Sequence, residues 1–244
     1  MTLFITSSPF IDGAPRAILN PENGFLAGLR ETLPPFPRCL FVCSSPDRRD
    51  LTCRYGSDAF SAFAEAGMPF SSYAVLDGDN AEDAEMLIAN SDLIILAGGH
   101  VPTQNAFFRE IDLGAMLADY PGVIMGISAG SMNLAETVYV QPEERGEALD
   151  PGFRRFAPGL GLTQVNVCPH YQKVKDDILD GMRLFEDITY GDSMGRCFFA
   201  LPDGSYIYQD EESLLLCGKA FRIKDGIIEL LTLDGETLDL TELC

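Results

Sequence analysis

Short, almost wholly apolar runs alternate with amphipathic stretches along this chain, and that alternation constrains its fold more than any other feature. The runs are "LFITSS" (3–8), "RCLFVCSSP" (38–46), "SYAVLDG" (72–78), "DLIILAGG" (92–99), "GVIMGIS" (122–128), "TQVNVCP" (163–169) and "RCFFALPDG" (196–204). Between most of them lie helix-like stretches: "ENGFLAGLRETL", "SDAFSAFAEAG", "AEDAEMLIANS", "TQNAFFREIDLGAML" and "KVKDDILDGMRLFEDI". A strand that is apolar on both sides must be covered on both sides. The pattern therefore predicts an α/β fold with a mostly parallel sheet and helices on both faces. Turns such as "AGGH" and "SAGS" then fall at the carboxyl ends of strands, where open α/β sheets bind ligands.

Two regions break the alternation. Residues 138–161, "VYVQPEERGEALDPGFRRFAPGLG", are rich in Pro, Gly and charge and read as a long loop with short elements. After residue 203 come short strands with tight turns, "KDG" and "LDG" among them, which signal antiparallel hairpins. No linker or repeat divides the chain. Residues 1–244 are expected to form one domain, with 203–244 as its β-hairpin extension.

Charge and cysteine content exclude several function classes. The 244 residues carry a formal net charge of −20, which argues against nucleic acid or an anionic membrane surface as partner. No apolar run reaches membrane-spanning length, and the amino-terminal "MTLFITSSPFIDG" reads as a first strand rather than a signal peptide. Seven cysteines, at 39, 43, 53, 168, 197, 217 and 244, show no C-x-x-C spacing. Neither a disulfide framework nor a zinc site is indicated, and a reducing cytoplasm is the expected location.

One strand ends in a pentapeptide that turning alone does not require. Gly126-Ile127-Ser128-Ala129-Gly130 has the form G-x-S-x-G, preceded by "VIM" and followed by the helix-forming "SMNLAE". A serine on such a strand–turn–helix elbow is held exposed, and small residues on either side let strand and helix approach. The plain alternative is a Gly-rich turn with a capping serine. A nucleophilic serine needs a base, and the chain has two histidines. His170 and His100 both follow predicted strands. The order nucleophile, acid, histidine found in elbow enzymes favours His170 as base. By that order the orienting carboxylate lies in the intervening loop, which offers Glu143, Glu144, Glu147 and Asp150. In "LAGGH", Gly98 and Gly99 let backbone amides approach a substrate.

Taken together, "AGGH", "GISAGSMN", "PGLGLTQVNVCPHY" and "ALPDGSYI" resemble the peptidase E family, serine peptidases that include aspartyl dipeptidases and cyanophycinases, over most of the chain. The resemblance implies a class I glutamine amidotransferase-like fold, Ser128 as nucleophile and His170 as base. It also implies an oxyanion hole from the amides of Gly99 and Ala129. Its spacing favours Glu147 as the third catalytic residue, with Glu144 next. His100 stands where the family often has Asn. The elbow carries Ser where amidotransferases carry Cys, which argues against glutaminase chemistry. The activity implied is hydrolysis of small peptides, with preference for an amino-terminal Asp, and with no metal or organic cofactor. An Asp side chain needs a cation, for which Arg109, Arg154, Arg155 and Lys173 are candidates. His100, Arg154 and Arg155 are the expected substrate-binding residues. The partner is a small peptide, and a homodimer is compatible with such a chain. Two rival readings are a non-catalytic amidotransferase-like binding module and a serine esterase or amidase.

Overall fold

The computed structural model describes residues 1–241 and 243. Its centre is a sheet of eight strands among the described residues. Five of these are parallel neighbours: β1 (Thr2–Thr6), β2 (Arg38–Val42), β3 (Ser72–Leu76), β4 (Leu93–Leu96) and β5 (Val123–Ile127). They lie in the order β1-β5-β4-β2-β3. Beyond β1 the sheet continues antiparallel through Tyr206–Gln209, Leu214–Cys217 and Thr237–Asp239. The hairpin Tyr206–Gln209/Leu214–Cys217 and the strand Thr237–Asp239 thus extend the same sheet.

The apolar runs behave as a doubly covered sheet requires. Along β4, Ile94 and Leu96 join one buried cluster with Leu3, Ile5 and Ile124. Leu93 and Ile95 face the opposite side, with Phe4, Phe41 and Met125. Helices α1 (Phe25–Thr32) and α2 (Arg49–Glu65) contribute to the second cluster. Helices α3 (Ala84–Ala89), α4 (Val101–Glu110) and α5 (Leu113–Leu117) contribute to the first. The stretch 103–117 was expected as one helix. It breaks at Asp112, whose φ of 53° is left-handed, so α4 and α5 are separate.

The other departures from the sequence-based expectation lie between 163 and 204. Val167–Cys168 and Cys197–Ala200 do not join the central sheet. They pair in parallel with each other in a second sheet, continued by Ala220–Lys224 and Ile227–Thr232. The stretch 173–188, expected as a helix, holds only the end of a short helix, α7 in a numbering where α6 is the elbow helix Ala129–Met132 and α7 is Tyr171–Val174. A tight hairpin follows, Ile178–Leu179 with Met182–Arg183, and then a wide helical turn over Leu184–Thr189. The turn residues Asp180 (φ 53°) and Gly181 (φ 86°) make the hairpin, so local turn chemistry overrode helical periodicity. The loop 138–161 contains a small pairing of Thr137–Tyr139 with Phe156–Pro158.

Cys39, Cys43, Cys168 and Cys217 are buried free thiols and Cys53 an exposed one. Cys197 is disulfide-bonded, against the expectation of a chain without disulfides. Cys244 lies outside the described residues. No helix among the described residues is long and apolar enough to cross a membrane.

Candidate active site

Three chain segments meet at the carboxyl end of β5. The first is the elbow. Ser128 has φ 51° and ψ −112°, a strained combination for a residue with a side chain. The strain is held in place by bonds on its backbone: the Ser128 amide donates to the carbonyls of Thr6 (3.1 Å) and Ser7 (3.0 Å) at the end of β1. Small neighbours are a steric necessity here. A Cβ at Gly130 would collide with the Leu96 carbonyl oxygen, and one at Gly126 would lie 2.6 Å from Ser131 Cα. A larger residue at either position forces β4 or α6 away from β5.

The second segment is the turn after β4. A Cβ at Gly98 would stand 3.4 Å from Ser128 Cβ, so this turn runs directly beside the elbow, and one at Gly99 would collide with Ser44 Oγ. Buried amides lock the turn to the elbow helix. Gln104 Nε2 donates to the carbonyls of Ala97 (2.8 Å) and Cys43 (3.2 Å). Asn133 Nδ2, just past α6, donates to Gln104 Oε1 at 3.1 Å, and Asn105 Nδ2 donates to Asn133 Oδ1 at 3.0 Å.

The third segment carries His170, the candidate base. His170 follows Val167–Cys168 with φ 57°. Its Nδ1 lies 2.7 Å from Asp203 Oδ1. Asp203 follows Cys197–Ala200 in "LPDG", and its side chain is 5 % exposed. The expectation that Glu147 orients His170 does not hold in this geometry. Glu147 Oε1 lies 2.8 Å from Nε2 of His100, the other histidine, and its Oε2 accepts the amides of Glu143 and Glu144. Glu144 and Asp150 make no bond to His170 either: Glu144 approaches His100 and Glu147, and Asp150 accepts the Gly152 amide. The reason lies in the pairing. Val167–Cys168 and Cys197–Ala200 are parallel and in register, Cys168 opposite Ala200. Both therefore end at the same edge and deliver His170 and Asp203 side by side.

Ser7, which the sequence did not single out, ties the elbow to the segments that carry His170 and Asp203. It is fully buried. Its hydroxyl donates to Asp203 Oδ1 (2.8 Å) and accepts the His170 amide (2.7 Å), while its carbonyl accepts the Ser128 amide. Lys173 also serves this network, its Nζ lying 2.8 Å from Asp203 Oδ2 and 2.7 Å from Asp12 Oδ1. Burial alone would raise the Asp203 carboxyl. The bonds from His170, Lys173 and Ser7 outweigh it and hold Asp203 well below the usual carboxylate range.

Ser128 and His170 line one cavity of about 510 Å³, a size suited to a small ligand. Glu143 lies on its wall. The residue is exposed at its surface, with its carboxyl partly desolvated by the protein around it. Poor solvation pushes the carboxyl up to about 7, against the pull of His100 and the Val101 amide. The expected substrate-binding residues fall elsewhere. Arg154 is exposed, and Arg155 lies over the Phe153 ring with its Nε 3.7 Å from Asp192. Arg109 sits in the last turn of α4. His100 caps the start of α4, with Nδ1 2.8 Å from Thr103 Oγ1. His100, Glu144 and Glu147 bring ligand atoms within 4.8 Å of one another, a grouping that could hold a metal ion. Here both ring nitrogens of His100 are engaged, with Thr103 and Glu147.

An elbow serine sharing a cavity with a carboxylate-bound histidine is the equipment of a serine hydrolase. Residues 37–217 match the model of peptidase family S51. The chain belongs to that family and is a serine-type peptidase. Among solved structures it is similar to a peptidase from an acI-B1 actinobacterium, with TM-score 0.67 and 18 % identity over 98 % of this chain and 96 % of that one. A protein of Listeria monocytogenes EGD-e assigned to peptidase E gives TM-score 0.60 and 14 % identity over 95 % and 98 %. No curated protein matches the chain at a significant level.

Proposed function

We propose that the enzyme hydrolyses small peptides through Ser128, His170 and Asp203. The observation that carries this reading is the 2.7 Å contact of His170 Nδ1 with Asp203, beside the cavity that His170 shares with Ser128. With Nδ1 held by a carboxylate, Nε2 is the nitrogen available to the serine. Ser128 Oγ attacks the scissile carbonyl carbon as its proton passes to Nε2. The C–N bond then breaks, and that proton leaves with the amine. Water then attacks the acyl carbon as its proton passes to His170, the C–Oγ bond breaks with that proton returned to Ser128 Oγ, and the released product is the carboxylic acid. Asp203 fixes the tautomer and stabilises the imidazolium. The amides of Gly99 and Ala129 are the proposed oxyanion donors, each typically worth about 3–4 kcal/mol of barrier.

The test is a dipeptide panel with Asp-X, Glu-X, neutral-X and N-acetylated members, incubated with wild type and Ser128→Ala, with released amino acids counted. Cleavage by wild type alone is the expected result. Full activity in Ser128→Ala would overturn the assignment of the nucleophile.

A further inference from the structure

The preference for an amino-terminal Asp requires a cation at the cavity, and the cavity wall is built for the opposite charge. Among the described residues lining it there is no Lys or Arg, while Glu143 and Asp177 are both present. Lys173, next in sequence to Val174 of the wall, is already paired with Asp203 and Asp12. Apart from Ser128, His170 and the uncharged Gln141, the rest of the wall is apolar. Met132 and Leu184 are buried, Val174 is half-buried, and Ile178 leaves 70 % of its surface to solvent. A large aliphatic side chain exposed beside a catalytic serine is a ready contact for an apolar ligand.

Glu143 is the informative residue. The groups that bear on it are the Val101 amide, Glu147 and the two histidines, His100 and His170. Glu143 shares the cavity wall with Ser128 and His170. In a peptide cut after its first residue, the α-nitrogen lies only about 2.5 Å from the scissile carbonyl carbon, two covalent bonds away. A group that holds a free α-ammonium must therefore line the same cavity as the nucleophile. Glu143 does so, and no Lys or Arg shares that wall among the described residues. A blocked amine would leave its charge uncompensated, and a substrate carboxylate would meet it as a like charge.

We propose that the cavity binds the first residue of a peptide, its free α-ammonium on Glu143 and an uncharged apolar side chain against Met132, Val174, Ile178 and Leu184. The enzyme then releases apolar rather than aspartyl amino-terminal residues. The proposal rests on the peptidase mechanism above, and binding and turnover separate the two. Calorimetric titration of Ser128→Ala with leucinamide, N-acetyl-leucinamide and aspartamide reads the pocket without chemistry. Leucinamide is expected to bind about 10- to 100-fold tighter than either competitor. Adding Glu143→Gln is expected to erase the advantage over N-acetyl-leucinamide and to keep the preference for the apolar side chain. Equal binding of free and blocked amines, tighter binding of aspartamide, or no binding at all overturns the proposal. Leucinamide binding without cleavage of any Leu-X dipeptide by wild type supports the pocket and rejects the mechanism. Preferential cleavage of Asp-X or N-acetylated peptides keeps the mechanism and rejects the pocket.

Discussion

His170 is held by Asp203, at 2.7 Å, and Glu147 is spent on His100. The two histidines each have their own carboxylate, and only His170 shares a cavity with Ser128. This divides the labour. Asp203→Asn is expected to lower kcat roughly 1,000- to 10,000-fold with the fold retained, because the imidazole loses its tautomer and its counter-charge. Glu147→Gln is expected to change kcat less than about tenfold and to act mainly on KM, through the Glu143 and Glu144 amides it accepts. Steady-state kinetics on both variants checks this, and the reverse ranking contradicts it.

Ser7 acts through others. Its hydroxyl binds Asp203 and the His170 amide without reaching the cavity lining. Loss of a hydrogen bond to a charged group typically costs about 1.5–3 kcal/mol, so Ser7→Ala is expected to lower kcat roughly 10- to 100-fold with KM unchanged. In an Asp203→Asn background the same substitution should add little, since its partner is already altered. Full additivity in that double-mutant cycle would show that Ser7 is only a packing residue.

The elbow glycines respond to volume. Gly130→Ala drives a methyl group into the Leu96 carbonyl and is expected to destabilise by about 1–3 kcal/mol. Gly191→Ala, where an added Cβ meets nothing within 4 Å, is the control and should leave Tm unchanged. Thermal unfolding of the two variants decides the matter.

Asp203 makes stability depend on pH. Its folded carboxyl lies below its unfolded value. The stabilisation is therefore fully present above the unfolded carboxylate range, near pH 4, and is lost as pH falls through that range toward the folded value. Asp203→Asn removes this dependence, so the variant's acid unfolding limb should be shallower than that of wild type. Parallel limbs would show that Asp203 is not tied to its partners in the folded state.

Strand runs that are apolar on both sides, and a G-x-S-x-G in strand–helix context, were enough to read the parallel half of the sheet and the elbow, and to single out His170, which the fold brings to the cavity of Ser128. Asp203 was not legible. It stands in "LPDG", which reads as a hairpin turn, and it follows the histidine in a chain where the acid was sought before it. What selects it is the parallel pairing of Cys168 with Ala200, a contact between distant segments that periodicity does not encode. The elements of 173–188 were hidden for the opposite reason, because a local Asp180-Gly181 turn outweighs a helical pattern around it. Ser7 lay in plain view in "ITSS", but serines are common, and only the meeting of β1 with the elbow gives this one its bonds.

The central claim is that Ser128 is a nucleophile activated by His170. The most direct measurement is to react the protein with a serine-directed fluorophosphonate and map the adduct by mass spectrometry. The account expects a single adduct on Ser128, strongly reduced in His170→Ala and in Asp203→Asn. An adduct on another residue, or labelling of Ser128 that is indifferent to both substitutions, would contradict it.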